Sequence, residues 1–209
     1  MSSNVSSEVQ VANLALQRLG IGAVSALTGS DKPAAAANRI FADTRDEVQR
    51  MFPWACLITR EAFTAHTISN SALPYRHTMD VTALSVLEVI DTTDAGAENI
   101  PFKREYRYLY TTKLTGYVRF TTQTTNITPW DPLMLSAIEC RMASKLAVWL
   151  TGNFQMAQYL HQEFMQIIMI AIQTKAIEEK FDDNAKLLAM IDKSFLPFLS
   201  MNRAISEAG

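Results

Sequence analysis

Cysteine is scarce in this sequence: Cys56 and Cys140 stand alone, with no CxxC spacing and no cysteine–histidine cluster. That pattern points away from a disulfide scaffold or a thiolate metal site and towards buried free thiols in a reducing compartment. Glycine is scarce too, seven in 209 residues, and none sits in a phosphate-cradling loop or a GxSxG elbow. The three histidines, His66, His77 and His161, fall on different predicted elements without metal-ligand spacing such as HExxH. No lysine- or arginine-rich run exists; the densest cluster, Lys103-Arg104 with Arg107, is interrupted by Glu105. With a net charge of −2 and a pI near 5.9, the chain lacks the basic stripe that grips nucleic acid through its phosphates. A protein that surrounds DNA without holding it is compatible with that charge. The most apolar stretch, FMQIIMIAI at 164–172, contains Gln166 and is far shorter than the ~20 residues that span a bilayer. The N-terminal MSSNVSSEVQ lacks the basic start and apolar core of a signal peptide, so synthesis in the cytoplasm and no membrane partner are expected.

What is present is the composition of an ordinary folded domain, 48% hydrophobic and 19% charged. A chain of this length buries enough apolar surface to fold without metals or disulfides. Ser7 with Gln10 reads as a capping box, behind which Ala12, Leu16 and Leu19 recur at helical spacing up to Gly20 and Gly22. Asp31 and Pro33 start a second helix whose apolar face runs Ala37, Ile40, Phe41, Thr44, Val48 and Met51. Two i,i+4 ion pairs, Arg39–Asp43 and Asp46–Arg50, are expected on it. Pro53 disfavours helix at Phe52 and predicts a break there. From about 62 to 127 the chain turns to Phe, Tyr, Val, Ile and Thr. Period-two alternation appears across Phe102–Tyr110 and Tyr117–Phe120, with Leu114-Thr115-Gly116 as the turn between them, and Ser85–Asp91 is a further strand. Helix returns at Asp131-Pro132, and Gly152-Asn153 predicts an antiparallel return along a helix from about 154 to 180. The expectation is an α+β, mainly α chain: an antiparallel helical bundle with an inserted small antiparallel β-rich domain. Its parts are a first helical half at 1–62, a β-rich insertion at 63–127, a second helical half at 128–182, and a C-terminal helix and tail at 183–209.

Few residues carry chemistry. Asp43 and Glu47 lie four apart on one helix, a spacing that suits a cation or an acid–base pair as well as a solvated face with local ion pairs. The neighbouring Arg45 and Asp46 are candidates for a bridge to another subunit. Tyr106, Tyr108 and Tyr110 alternate and would share one strand face, packed against the helices or stacking sugars or bases. Met156, Met165 and Met169 read as adaptable packing. Around Phe164, Ile168 and Ile172 the helix is apolar on more than one face, which predicts burial on two sides. No catalytic residue, cofactor or metal is assigned.

Three segments, in order, resemble the tail tubular protein A family of podovirus-type phages, the head-to-tail adaptor. They are VANLALQRLGIGAVSAL at the opening helix, FADTRDEVQRMFPWACLITREAF at 41–63, and YVRFTTQTTNITPWDPLMLSAIECRMASKLAVWLTGN at 117–153. The arginine–aspartate pair followed by Pro53-Trp54 and the Trp130-Asp131-Pro132 helix start are the most distinctive parts. The family's tyrosine–leucine–proline–aspartate stretch is divided here between Leu73-Pro74-Tyr75 and Met79-Asp80.

The resemblance implies a structural virion protein of the phage tail or neck, made in the host cytoplasm. It would form a closed homo-oligomeric ring of about twelve copies, joining the portal protein to the tail tube or nozzle protein. The ring would supply the second partner of the two-sided helix, with Phe164, Ile168 and Ile172 at the subunit contact. Tail fibres are a further expected neighbour, and genomic double-stranded DNA would pass through the lumen without specific binding. The sticky run Phe195, Leu196, Phe198 and Leu199 is expected to dock on the portal or on a neighbouring subunit. The enzymatic alternative is a virion-associated polysaccharide hydrolase on the same scaffold, built on Asp43, Glu47 and the tyrosine face.

Overall fold

A computed structural model of the chain describes residues 7–68, 72–92 and 97–178. Two helices come first, α1 (Glu8–Arg18) and α2 (Lys32–Met51), followed by a 3-10 turn at Ala55–Leu57. Seven strands follow: β1 (Ile58–Thr64), β2 (His66–Thr67), β3 (Tyr75–Thr78), β4 (Ala83–Ile90), β5 (Phe102–Glu105), β6 (Tyr108–Thr111) and β7 (Thr115–Thr122). The described chain ends in α3 (Pro132–Thr151) and α4 (Phe154–Glu178).

Local chemistry sets the helix ends. At α1 the Ser7 hydroxyl accepts from the Gln10 N–H at 3.3 Å while the Gln10 amide oxygen accepts from the Ser7 N–H at 3.2 Å. Two first-turn donors are thereby satisfied reciprocally. Asp31 and Asp131 cap α2 and α3, each followed by a proline in the first turn, where a missing N–H costs nothing. Pro53 holds Phe52 extended, at φ −140°, and α2 stops there. Gly152 takes φ +68°, a left-handed turn open to glycine, and α4 folds back along α3.

α3 is the hub of the helical layer. It packs against α1, α2 and α4, while α1 and α2 touch each other much less. Leu16, Phe41, Val48, Met142, Leu146, Phe164 and Ile168 are buried around it, with Trp54, Leu57, Ile127 and Trp130 closing the same core from the connections. The Trp54 indole N–H donates to the Val48 carbonyl at 2.9 Å, and its ring meets Phe52 edge-on, 4.9 Å between centroids. Buried Gln49 clamps the β7–α3 connection: its side-chain N–H donates to the Thr124 carbonyl at 2.8 Å and its oxygen accepts from the Thr124 N–H at 3.1 Å.

The strands form two antiparallel sheets, one in the order β1-β7-β4 and one in the order β2-β3-β6-β5. They enclose a second core of Phe63, Met79, Val89, Leu109, Val118 and Phe120. Arg104 ties the sheets together, its guanidinium donating to the Ala83 and Leu84 carbonyls at 2.7 Å each. Gly116, opposite Phe63, stands within β7 where a Cβ would lie 2.6 Å from the Ile90 carbonyl oxygen.

These observations correct the expected fold class. The described chain holds four helices and seven antiparallel strands in two sheets, 47% helical and 23% strand: an α+β fold and not a helical bundle carrying a small insert. The reason is physical. The strands have a core of their own, β1 begins at Ile58 inside the segment read as helical, and three helices pack on one hub. A second correction concerns Phe102–Tyr110. It is a hairpin, β5 and β6 joined at Tyr106-Arg107, with Tyr106 in the turn at φ +54° and 84% exposed. The three tyrosines therefore do not share one strand face. The turn before β7 lies ahead of Thr115, and Gly116 belongs to the strand.

Candidate functional site

The most elaborate side-chain constellation lies between α2, α3 and α4 and is built on Glu47. One carboxylate oxygen accepts from Arg141 Nε at 3.0 Å and Nη2 at 2.7 Å, and the other from Lys145 Nζ at 2.5 Å. Arg141 and Lys145 are four apart on α3, so successive turns present both cations to one carboxylate. Lys145 also donates to the Thr44 hydroxyl at 3.1 Å. On the other side Arg141 Nη1 lies 3.1 Å from His161 Nδ1, and its guanidinium sits 5.6 Å from the Phe164 ring centroid.

Burial pushes the Glu47 carboxyl up, but the hydrogen bonds from Lys145 and Arg141 and their charges outweigh it, and the group is held below the ordinary glutamate value. His161 is pushed down by burial and by the Arg141 charge, against a smaller pull from Glu47. At neutral pH the pattern is thus a carboxylate between two cations beside a neutral imidazole. Such an arrangement joins three helices. It does not offer a free acid or base, because Glu47 has no reason to take a proton and Asp43 lies exposed on α2. The geometry does not unite Asp43 and Glu47 as a pair.

A second polar cluster joins α1 to α3 and α4. Arg18 Nη1 meets Glu163 at 2.6 Å and its Nε lies 3.7 Å from Glu139. Burial raises the Glu139 carboxyl despite Arg18, and burial lifts the neighbouring Cys140 thiol to about 12, which leaves it un-ionised and unreactive.

The residues read as subunit contacts sit inside the chain. Phe164, Ile168 and Ile172 are buried in the core around α3, and Arg45, 7% exposed, bonds to Asp46 at 2.7 Å and approaches Glu8 at 3.8 Å. Most of the surface of Phe164, Ile168, Ile172 and Arg45 is thus covered within the single chain. Asp46 is half-buried and pairs with Arg45 and not with Arg50. Phe195, Leu196, Phe198 and Leu199 lie outside the described residues.

Sequence reading missed one concave feature. Lys32, Ala35, Ala36 and Arg39 of α2 and Trp149 and Leu150 of α3 line an open groove of about 540 Å³, with the Arg39 guanidinium 5.8 Å from the Trp149 ring centroid. The only sequence signal was a tryptophan near the end of a predicted helix. Among the described residues no group of three or more His, Cys, Asp or Glu is placed to hold a metal ion, and no helix is long and apolar enough to cross a membrane. No family model and no curated protein matches the chain.

Proposed function

We propose that this chain is a structural ring subunit, a head-to-tail adaptor that joins a phage portal to the tail tube or nozzle and encloses part of the DNA ejection channel. The reading is carried by the ordered resemblance of the opening helix, 41–63 and 117–153 to the tail tubular protein A family. Support comes from where those segments lie: α1, the α2-to-β1 corner with Trp54, and the β7-to-α3 entry with Trp130 share one continuous core. The helical parts of the family-like segments therefore share one core, while Phe63, Val118 and Phe120 enter the core of the sheets. A net charge of −2 without a basic run suits a lumen that releases DNA, since a cationic lining would retain phosphates. On this reading the partners are other copies of the chain, the portal and the tail tube or nozzle, with fibres as a further neighbour.

Electron microscopy of the purified protein, alone and mixed with portal, tests the proposal. Closed rings stacked coaxially on the portal are the expected result. A chain that neither closes into rings nor docks on portal overturns it.

A further inference from the structure

The outward face of α4 lacks the charge that the exposed sides of α1 and α2 carry. Ten positions between Phe154 and Thr174 are exposed, and not one is Asp, Glu, Lys or Arg. The one charged residue of that stretch, Glu163, pairs with Arg18, and Lys175 just beyond it donates to the Pro53 carbonyl. The exposed side of α2, by contrast, carries Lys32, Arg39, Asp43 and Arg50. Along the middle of the α4 face run Gln155, Tyr159, Gln162, Gln166, Met169 and Gln173, at alternating spacings of four and three. That alternation keeps one stripe in line along a helix and is the spacing of a seam between packed helices.

We propose that this glutamine-rich seam is a contact surface for a second copy of the same chain. Nucleic acid would require cations for its phosphates, and the face has none. An anionic membrane would also call for cations, and burying four seam glutamines among lipid tails would strip their amides of partners. A charged protein partner finds no charge to meet. An identical copy fits the chemistry: each glutamine amide both donates and accepts, so a row of them satisfies another such row without like-charge repulsion. Tyr159 and Met169, with Ile170 beside them, supply apolar contact between the amides; Tyr159 is 62% exposed and Ile170 49%.

Size says what kind of contact this is. A face from Gln155 to Gln173 is about 27 Å long and about 10 Å wide, short of the about 800 Å² per partner of a stable pair. The seam must therefore belong to a wider contact. It begins at Phe154, which is exposed, and the preceding helix offers exposed Trp149, which lines the Lys32/Arg39 groove. Self-association through α4 stands on these observations alone; only a stoichiometry above two rests on the ring reading.

Sedimentation velocity of the full chain over a concentration series provides the test, with circular dichroism confirming that each variant is folded. The wild type should self-associate. Gln162→Lys with Gln166→Lys, and separately Gln162→Glu with Gln166→Glu, should raise the apparent Kd about tenfold or more, because each places like charges or unpaired charges in the seam. Thr112→Lys, an exposed control near the sheets, should leave assembly unchanged. If both double variants assemble like the wild type, the α4 assignment falls while the ring survives. Should the wild type stop at two copies and the double variants become monomeric, the α4 assignment stands and the closed ring falls. A wild type that remains monomeric throughout overturns the α4 contact, and the ring is then judged by portal docking.

Discussion

Removing the Gln49 side chain isolates the joint between the helical core and the sheets. Gln49 is 1% exposed, and its amide satisfies both backbone groups of Thr124, 75 residues further along the chain. In Gln49→Ala the Thr124 N–H and carbonyl each lose a partner. Thr124 is half-buried, so water can replace part of what is lost, and each group costs about 1 kcal/mol, the low end for an unsatisfied buried polar group. The vacated stem adds about 1 kcal/mol of lost burial and cavity, and the total comes to about 3 kcal/mol by the same estimates. Gln49→Met fills the volume without the hydrogen bonds and should cost about 2 kcal/mol, which separates the two contributions. The assay is urea unfolding followed by the fluorescence of the buried Trp54 and Trp130, at constant m-value. Amide exchange at Thr124 gives a local readout, protected in the wild type and fast in both variants. A Gln49→Ala loss below about 1 kcal/mol, or an unchanged Thr124 amide, would refute the reasoning.

Two further tests follow from the geometry. Gly116→Ala forces a Cβ to 2.6 Å from the Ile90 carbonyl and 3.1 Å from both Ile100 and Phe63, so β4 or β7 must shift. A loss of about 2 kcal/mol in urea unfolding is expected, and an alanine variant as stable as the wild type would show that the sheet gives way freely. Acid should weaken the α2–α3–α4 junction in two stages. The lowered His161 keeps the folded chain from taking a proton that the unfolded chain takes, so stability is full above the ordinary histidine value of about 6.5 and declines below it. The lowered Glu47 adds a second loss as pH falls through the carboxylate range. Thermal unfolding across pH should show His161→Gln flattening the upper stage only; an unchanged upper stage would remove His161 from the account.

Where local chemistry decides structure, the sequence was legible. Ser7, Asp31 and Asp131 cap the helices they were expected to cap, Pro53 ends α2, and Gly152 returns α4 along α3. Alternation alone misled at Tyr106. The β5–β6 hairpin turns on Tyr106-Arg107, without the glycine or asparagine that ordinarily announces a left-handed turn residue, so two short strands read as one. β4, expected at Ser85–Asp91, runs from Ala83 to Ile90, although register shifts between Ala83 and Ser85 and between Val86 and Glu88 break its period. The Glu47 junction was out of reach because its partners lie 94 and 98 residues away on α3. Counting apolar residues marked α4 as unusual. Phe164, Ile168 and Ile172 fill the core, and what is distinctive about the outer side is the charge it lacks.

The pairing of Thr64 with Thr115 at the end of the β1–β7 ladder brings the two ends of a long excursion side by side. Everything between them leaves and re-enters the rest of the chain through one doorway. Lengthening such an excursion costs the chain little closure entropy, about 0.6 kcal/mol for each doubling, so it can vary while the scaffold behind it stays constant. The three family-like segments all lie outside it. On the proposed reading those segments are framework, and the hairpins beyond the doorway are where length and sequence can change at least cost to it. The freedom has one limit: β4 returns from the excursion to pair with β7, so any replacement must still supply a strand to cover that edge.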